Sequence, residues 1–292
     1  MKGPRKGRIA ACAAVLGVLA VVPGAQARPA QYYVSLGDSY AAGFQPGFVT
    51  TTDGFVYQVP GLARRRGYDL QVVNYGCVAA STATMLSGSG CAGSFLGPGA
   101  APFTRSQVVE AAEFIRANRK KVALVTVSIG GNDFYWGCMN AADPAGCVRP
   151  TLATMKVNIS AAARQLRQAA GNRPVLVGTT YPNMMLGAWV NPGGAEAQRR
   201  ARRWVPVFRK LINPALKESY AAGRGTLADV TAVTGGYGDM KAMEALASYG
   251  LVPKPVADAC RATWYCDKGD PHATRAGNRT IARLVAAQLP RR

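Results

Sequence analysis

Residues 122–129 read Val-Ala-Leu-Val-Thr-Val-Ser-Ile, a nearly continuous run of apolar and β-branched side chains. A strand that is apolar at successive positions, with no polar alternation, is typical of a parallel sheet covered by helices on both faces. The stretch therefore predicts a fully buried strand in the middle of an α/β protein.

Working outward, four other short β-rich segments alternate with helical patterns. The predicted strands are 32–36, 70–75, 122–129, 173–180 and 226–230. The predicted helices are 55–66, 106–118, 151–170, 196–222 and 274–289. The fourth helix is expected to bend near Pro206 and Pro214, because proline cannot donate to a helical hydrogen-bond ladder. The alternation predicts βαβ units and a parallel sheet with helices on both faces. With no long linker or internal repeat, residues 28–292 are expected to form one domain.

The N-terminus has the pattern of a secretory signal peptide. Basic residues at positions 2, 5, 6 and 8 precede an apolar run over 9–22, and Ala25-Gln26-Ala27 supplies a small-x-small cleavage site. The run is shorter than the roughly 20 apolar residues of a transmembrane helix, and no later stretch is long and apolar enough to cross a bilayer. We therefore expect residues 1–27 to be removed and the rest of the chain to be secreted into the extracellular space.

Composition narrows the class of protein further. Hydrophobic residues make up 49% of the chain and charged residues 17%, which excludes a disordered chain. The 35 lysines and arginines against 15 acidic residues give a net charge of +20, which attracts a protein to anionic surfaces such as a cell envelope. The arginines are scattered, and the densest group, at 199–203, would wrap around more than one face of a helix. No specific nucleic-acid partner is therefore expected.

The cysteines predict disulfides. Of the seven, Cys12 lies in the predicted signal peptide. The other six form three sequence-local couples: Cys77 and Cys91, Cys138 and Cys147, Cys260 and Cys266. An even number at such spacings in an exported chain implies disulfide pairing. A zinc site is a weak alternative, because the chain has one histidine and no C-x-x-C pair; no metal is expected.

Two residues are candidates for catalysis. His272 is the only histidine, and it lies in a polar loop before the last predicted helix, so any imidazole chemistry near neutral pH depends on it. Ser39 lies in Gly-Asp-Ser-Tyr at 37–40, directly after the first predicted strand, where parallel sheets place their ligands. Because position 41 is alanine, this turn is not the G-x-S-x-G elbow of α/β-hydrolases.

Two further clusters follow predicted strands. Asn-Tyr-Gly-Cys at 74–77 ends the second strand, and Gly-Gly-Asn-Asp at 130–133 follows the third. Gly76 can offer an unobstructed backbone N–H and Asn132 a side-chain amide. With the N–H of Ser39, these are the donors that an oxyanion hole requires. Each cluster alone would also be consistent with an ordinary turn.

Together, these blocks resemble the signature of the SGNH (GDSL) hydrolase family. Ser39 matches the nucleophile block, Gly76 the glycine of the second, Asn132 the third, and Asp-Pro-His at 270–272 the block that carries the base. The order agrees over nearly the whole chain after the signal peptide, and the exported, disulfide-bearing form is similar to actinobacterial secreted lipases and esterases. The resemblance implies a flavodoxin-like three-layer α/β/α sandwich around a five-stranded parallel sheet. It also implies a serine esterase or lipase that needs no cofactor.

One position departs from the family pattern. The family usually carries its acid three residues before the histidine, where this chain has Gly269. Either Asp270 orients the imidazole, or a backbone carbonyl near Gly269 does so. Asp270 is the predicted partner, because a carboxylate also stabilises the imidazolium.

The sequence leaves the substrate open. Acyl glycerols, phospholipids, aryl esters and acetylated polysaccharides all suit such a site, and a carbohydrate O-acetyl esterase is an alternative. The apolar loop 181–194, with Met184, Met185, Leu186 and Trp189, either packs in the core or lines an acyl pocket. A non-catalytic, basic envelope-binding protein on the same fold is the alternative from another class. We expect a monomer that acts on a small-molecule or lipid ester.

Overall fold

The computed structural model describes residues 1, 3 and 30–292. The predicted signal peptide, residues 1–27 with Cys12, lies outside the described residues apart from positions 1 and 3. In the part of the chain that is described, no helix combines the length and the apolar character that crossing a membrane requires.

The regular structure of residues 30–292 includes nine strands and twelve α-helices. The strands are β1 (Gln31–Gly37), β2 (Phe44–Gln45), β3 (Val49–Thr50), β4 (Leu70–Asn74), β5 (Val122–Ser128), β6 (Val175–Thr179), β7 (Thr226–Ala228), β8 (Met243–Leu246) and β9 (Gly250–Pro253). The helices are α1 (Ser39–Ala42), α2 (Phe55–Ala63), α3 (Thr82–Ser87), α4 (Gln107–Ala117), α5 (Gly131–Cys138), α6 (Pro144–Ala170), α7 (Gly194–Val207), α8 (Asn213–Ala221), α9 (Val230–Val233), α10 (Lys254–Ala262), α11 (Tyr265–Lys268) and α12 (Arg275–Ala287).

Five parallel strands form the central sheet, in the order β4-β1-β5-β6-β7. Every residue of β5 is buried, as the unbroken apolar run predicts. Helices α2 and α12 pack against each other, while α4, α6 and α8 pack in succession. The two helical layers enclose the sheet and confirm the predicted three-layer α/β/α fold.

The strand order places the reversal of the chain path beside β1. The chain runs from β1 outward to β4 and then returns to β5 on the other side of β1. In open parallel sheets, ligands bind beyond the carboxyl ends of the strands at such a switch point. Ser39 follows β1 directly, and Asn132 lies in the first turn of the helix after β5.

Several elements differ in extent from the prediction. Helix α6 begins at Pro144, seven residues before the predicted start, because proline is well tolerated in the first turn. The predicted helix 196–222 is divided into α7, a π-helical turn over Phe208–Ile212 and α8. The π-turn lies between Pro206 and Pro214, where the regular hydrogen-bond ladder cannot continue.

The apolar loop after β6 belongs to the core. Residues Met184–Val190 form a 3₁₀ helix in which Met184, Met185 and Leu186 are buried. Trp189 is half-buried, and the guanidinium of Arg202 lies 4.7 Å from its ring centroid. Of the two interpretations of this loop, core packing is therefore correct, and these side chains are absent from the cavity at Ser39.

Three disulfides pair the cysteines as predicted. Cys77 bonds to Cys91, Cys138 to Cys147, and Cys260 to Cys266. The first joins the segments on either side of α3, the second joins α5 to α6, and the third joins α10 to α11.

Candidate active site

The turn that carries Ser39 is built from the end of β1. Gly37 has φ +141°, and a Cβ there would lie 2.0 Å from the carbonyl oxygen of Ser128, so no other residue fits. Asp38 caps α1 by accepting a 3.0 Å hydrogen bond from the Tyr40 N–H. Ser39 is therefore the first residue of a short helix, and it is only 7% exposed.

The imidazole of His272 lies between Ser39 and Asp270. Its Nε2 is 2.7 Å from Ser39 Oγ, and its Nδ1 is 2.6 Å from Asp270 Oδ1. Asp270 Oδ1 also accepts the backbone N–H of His272 at 2.9 Å. Partial burial raises the pKa of Asp270, but its hydrogen bonds to His272 and the charge of that ring outweigh burial and hold the pKa below its usual value. The carboxylate, imidazole and hydroxyl thus form one hydrogen-bonded chain.

The loop of His272 is attached to the helix of Ser39. Tyr40 Oη donates a 2.6 Å hydrogen bond to the carbonyl of Pro271. The carbonyl of His272 accepts the Trp264 N–H at 2.9 Å, and the ring of Phe44 lies 4.8 Å from the imidazole centroid. These contacts limit the rotation of the ring and the displacement of its loop.

Asn132 lies in the first turn of α5 and lines the same cavity as Ser39 and His272. Its side-chain amide donates one hydrogen bond, of 2.9 Å, to the carbonyl of Ala80, which leaves a second N–H free to donate. The neighbouring Asp133 accepts both the N–H and the hydroxyl of Thr82, at 2.9 and 2.6 Å. The start of α5 therefore holds the turn that precedes α3.

Gly76 does not join Ser39 and Asn132 in the lining of the cavity. Its N–H donates to Asn74 Oδ1 at 2.9 Å, and a Cβ at this position would lie 2.7 Å from the backbone nitrogen of Ala42. The prediction that Gly76 supplies an oxyanion donor is not supported, because its N–H already has a buried partner.

Ala79, three residues further on, does line the cavity together with Ser39 and Asn132. It has φ +64°, a left-handed conformation that costs a non-glycine residue about 1–2 kcal/mol. Among the described residues, its N–H has no hydrogen-bond partner. The turn is held from both sides, because the Val78 N–H donates to Phe95 at 2.8 Å and Cys77 bonds to Cys91.

The buried carboxylate of Asp38 also supports the turn that carries Ser39. Asp38 Oδ2 accepts a 2.5 Å hydrogen bond from Tyr181 Oη, which in turn accepts the Gly131 N–H at 3.2 Å. Burial raises the pKa of Asp38 to about 6, although the hydrogen bonds from Tyr181 and Tyr40 oppose the shift. Tyr181 thus links the helix of Ser39 to the helix of Asn132.

A cavity of about 470 Å³ opens over Ser39. Its lining includes the three members of the hydrogen-bonded chain, Asn132, Lys268 and a set of apolar residues: Phe44, Phe48, Val78, Ala79, Phe95 and Trp136. Among residues 30–292, no three His, Cys, Asp or Glu side chains are grouped so that they could hold a metal ion.

Sequence reasoning missed Tyr40, Tyr181 and Ala79. The position of Tyr40 next to Ser39 is a signal that could have been used. Tyr181 directly follows the predicted strand 173–180, which is also a weak signal. Nothing in the sequence indicates that an alanine adopts a positive φ.

Comparison with known proteins identifies the family of the chain. The profile of the GDSL-like lipase/acylhydrolase family matches residues 33–285, whereas no curated protein matches the chain. Among solved structures, an extracellular lipase from Streptomyces rimosus is 18% identical, with a TM-score of 0.43, covering 89% of this chain and 99% of its own.

Two further solved structures are similar at lower identity. A psychrotrophic esterase from Pseudoalteromonas sp. is 10% identical with a TM-score of 0.44, and 88% of this chain and 96% of that one are covered. A carbohydrate acetylesterase family member from Sinorhizobium meliloti is 13% identical with a TM-score of 0.43, and the coverages are 88% and 96%. On the evidence of the family profile, which spans most of the sequence, the chain belongs to the GDSL-like lipase/acylhydrolase family and is a carboxylic ester hydrolase.

Proposed function

We propose that this protein is a secreted serine esterase or lipase that forms an acyl-enzyme on Ser39, with His272 as the base and Asp270 as the group that orients it. The observation that carries the proposal is the hydrogen-bonded chain from Asp270 Oδ1 through His272 to Ser39 Oγ, with links of 2.6 and 2.7 Å. These distances lie within the range in which a general base can take a proton from a nucleophile.

In the first half of the reaction, Ser39 Oγ forms a bond to the ester carbonyl carbon while His272 Nε2 takes the hydroxyl proton. The carbonyl oxygen becomes an oxyanion. When the tetrahedral intermediate collapses, the bond to the alcohol oxygen breaks and His272 Nε2 returns the proton to the leaving alcohol. Asp270 keeps the remaining proton on Nδ1 and stabilises the imidazolium in both steps.

In the second half, water attacks the acyl carbon and His272 takes its proton. The bond to Ser39 Oγ breaks, the acid leaves, and the proton returns to the serine. Both half-reactions use the same base and the same oxyanion site. Water is the one co-reactant that the balanced reaction needs.

The oxyanion is proposed to receive three donors: the N–H of Ser39, the N–H of Ala79 and the free amide proton of Asn132. All three residues line the cavity, and the two backbone groups have no partner among the described residues. Donors that are fixed before reaction stabilise developing charge without reorganisation. The strained φ of Ala79 supports this role, since such strain is retained where a function requires it.

The proposed substrate is an ester with an acyl chain longer than acetyl. A cavity of about 470 Å³ with several apolar side chains has more room than an acetyl group needs. Acyl glycerols, phospholipids and aryl esters all remain within the proposal. The carbohydrate O-acetyl esterase is the alternative that a preference for acetyl esters would support.

Secretion and domain organisation are also part of the proposal. The signal-peptide pattern over residues 1–27 and the three disulfides support export to an oxidising compartment. Residues 28–292 are proposed to form one catalytic domain.

A panel of p-nitrophenyl esters of graded chain length tests the proposal, with the parent protein beside Ser39→Ala. We expect hydrolysis that rises beyond the acetyl ester and is lost in Ser39→Ala while the thermal melting temperature is unchanged. A serine-directed phosphonate should modify Ser39, as peptide mass spectrometry will show. Absence of hydrolysis and of the adduct in the folded parent would favour the non-catalytic envelope-binding protein.

A further inference from the structure

Three aromatic side chains are exposed among the described residues, and all three line the cavity over Ser39. Phe48 is 87% exposed, Trp136 67% and Phe95 53%. They come from three separate elements: the turn between β2 and β3, helix α5, and the 3₁₀ helix Gly93–Phe95. We call these three residues the aromatic rim. Exposed apolar side chains that converge on one opening mark an interaction site, whereas single ones do not.

Backbone conformation and ring contacts together hold the aromatic rim in its exposed position. Phe48 has φ +60°, which is a genuine outlier for a bulky residue. Its ring contacts that of Phe44 at a centroid distance of 6.1 Å. The carbonyl of Phe95 accepts the Val78 N–H, and Trp136 packs edge-on against Tyr135 at 4.9 Å. The rim is therefore part of a supported surface.

The opening carries one cationic side chain. Lys268 lines the cavity and lies 4.5 Å from the ring of Trp264. The one acidic residue of the lining, Asp270, is hydrogen-bonded to His272. Residues 28–292, the part expected to be exported, have 31 lysines and arginines against 15 acidic residues, a net charge of +16. Aromatic side chains beside lysine and a basic protein body are the combination that binds anionic lipid interfaces.

We propose that the aromatic rim inserts into the surface of an anionic phospholipid bilayer, so that Ser39 meets its ester at the lipid–water interface. This proposal rests on the proposed function, which identifies Ser39 as the nucleophile. It adds that the substrate is held at the lipid–water interface. A single acyl chain inside the cavity would not account for Phe48, since a side chain that is 87% exposed directs most of its surface away from the cavity.

Vesicle binding is the direct test, with Ser39→Ala as the background so that no lipid is hydrolysed. The rim variant adds Phe48→Ser and Phe95→Ser. The matched control adds Leu251→Ser and Val157→Ser, two residues that are 67% and 66% exposed and lie outside the cavity lining. Since the rim variant loses the apolar surface of two aromatic side chains, we expect it to bind vesicles of phosphatidylcholine and phosphatidylglycerol at least about tenfold more weakly. The control should bind like the background.

Tryptophan fluorescence gives a second readout. Trp136 is the one exposed member of the four tryptophans, so its emission should shift to shorter wavelength on these vesicles, and Trp136→Phe should abolish the shift. Equal binding by the rim variant and the control, or no shift, would overturn the proposal. Equal binding to vesicles of pure phosphatidylcholine would overturn its requirement for anionic lipid.

Activity measurements on the protein with Ser39 intact distinguish a failure of this proposal from a failure of the proposed function. For the rim variant with Ser39 intact, the ratio of the rate on vesicle-borne ester to the rate on dissolved p-nitrophenyl butyrate should fall at least about tenfold. An equal loss of both rates would assign the rim to the binding of single substrate molecules and overturn the proposal. If the parent binds vesicles but hydrolyses no ester, the proposed function fails while the lipid-binding rim is supported.

Discussion

The hydroxyl of Tyr40 donates a 2.6 Å hydrogen bond to the carbonyl of Pro271. Tyr40 directly follows Ser39, and Pro271 directly precedes His272. The bond therefore connects the backbones of the proposed nucleophile and the proposed base, which are 233 residues apart in the chain. We infer that this connection helps to fix the distance between Ser39 Oγ and His272 Nε2.

Removing the hydroxyl in Tyr40→Phe should lower kcat about fivefold, because a typical hydrogen bond contributes about 1 kcal/mol and the loop of His272 would sample wrong positions. KM should change little. Tyr220→Phe is the matched control, since Tyr220 Oη donates to the carbonyl of Val127 at 3.2 Å away from the cavity. Steady-state kinetics on a p-nitrophenyl ester decide the matter. Equal kcat values for the two variants would contradict a positioning role for Tyr40.

Asp270→Asn should lower kcat by roughly 10³–10⁴, because an amide holds the imidazole in the wrong tautomer and cannot stabilise the imidazolium. Asp267→Asn, which alters a neighbouring carboxylate that accepts from Tyr249, should retain most of the activity. If Asp270→Asn also stays active, a backbone carbonyl near Gly269 orients His272 instead.

A backbone ester at Ala79 tests the proposed oxyanion donor. Incorporation of lactic acid replaces the N–H by oxygen and keeps the methyl group, and kcat should fall about 10²–10³-fold. Ala79→Gly keeps the N–H and accepts the positive φ, so its activity should match the parent. Glycolic acid at Gly76 is the comparison, and a larger loss there than at Ala79 would restore the assignment made from the sequence.

Tyr181→Phe should destabilise the fold more strongly at high pH than at low pH. Burial raises the pKa of Asp38 from 3.8 to about 6, so the native state holds the proton more tightly, and the contribution of Asp38 to stability declines as pH rises through that interval. Above it, the ionised carboxylate depends on Tyr181, and a hydrogen bond to a charged group contributes about 1.5–3 kcal/mol.

Urea unfolding at about pH 5 and about pH 8 measures the effect of Tyr181→Phe. The loss of unfolding free energy should be larger at the higher pH, because the bond from Tyr181 lowers the pKa of Asp38. The same loss at both values would mean that Asp38 does not ionise across this range.

The layers and the sheet could be predicted from the sequence because hydrophobic periodicity is a local property. The run at 122–129 lies almost wholly in β5 (Val122–Ser128), and the disulfide couples pair with their sequence neighbours. Shorter elements such as β8, β9 and α5 were not predicted, since a few residues carry too little pattern.

The sequence by itself determined the fold class, the order of the motifs and the single candidate imidazole. Only the tertiary structure decided that Ala79 lines the cavity while Gly76 bonds to Asn74, that Asp270 reaches Nδ1 of His272, and that Tyr40, Tyr181 and the aromatic rim belong to the site. The physical reason is that burial follows from each segment's own apolar pattern. The direction of an N–H or a carboxylate, in contrast, depends on backbone angles imposed by residues far away in the chain.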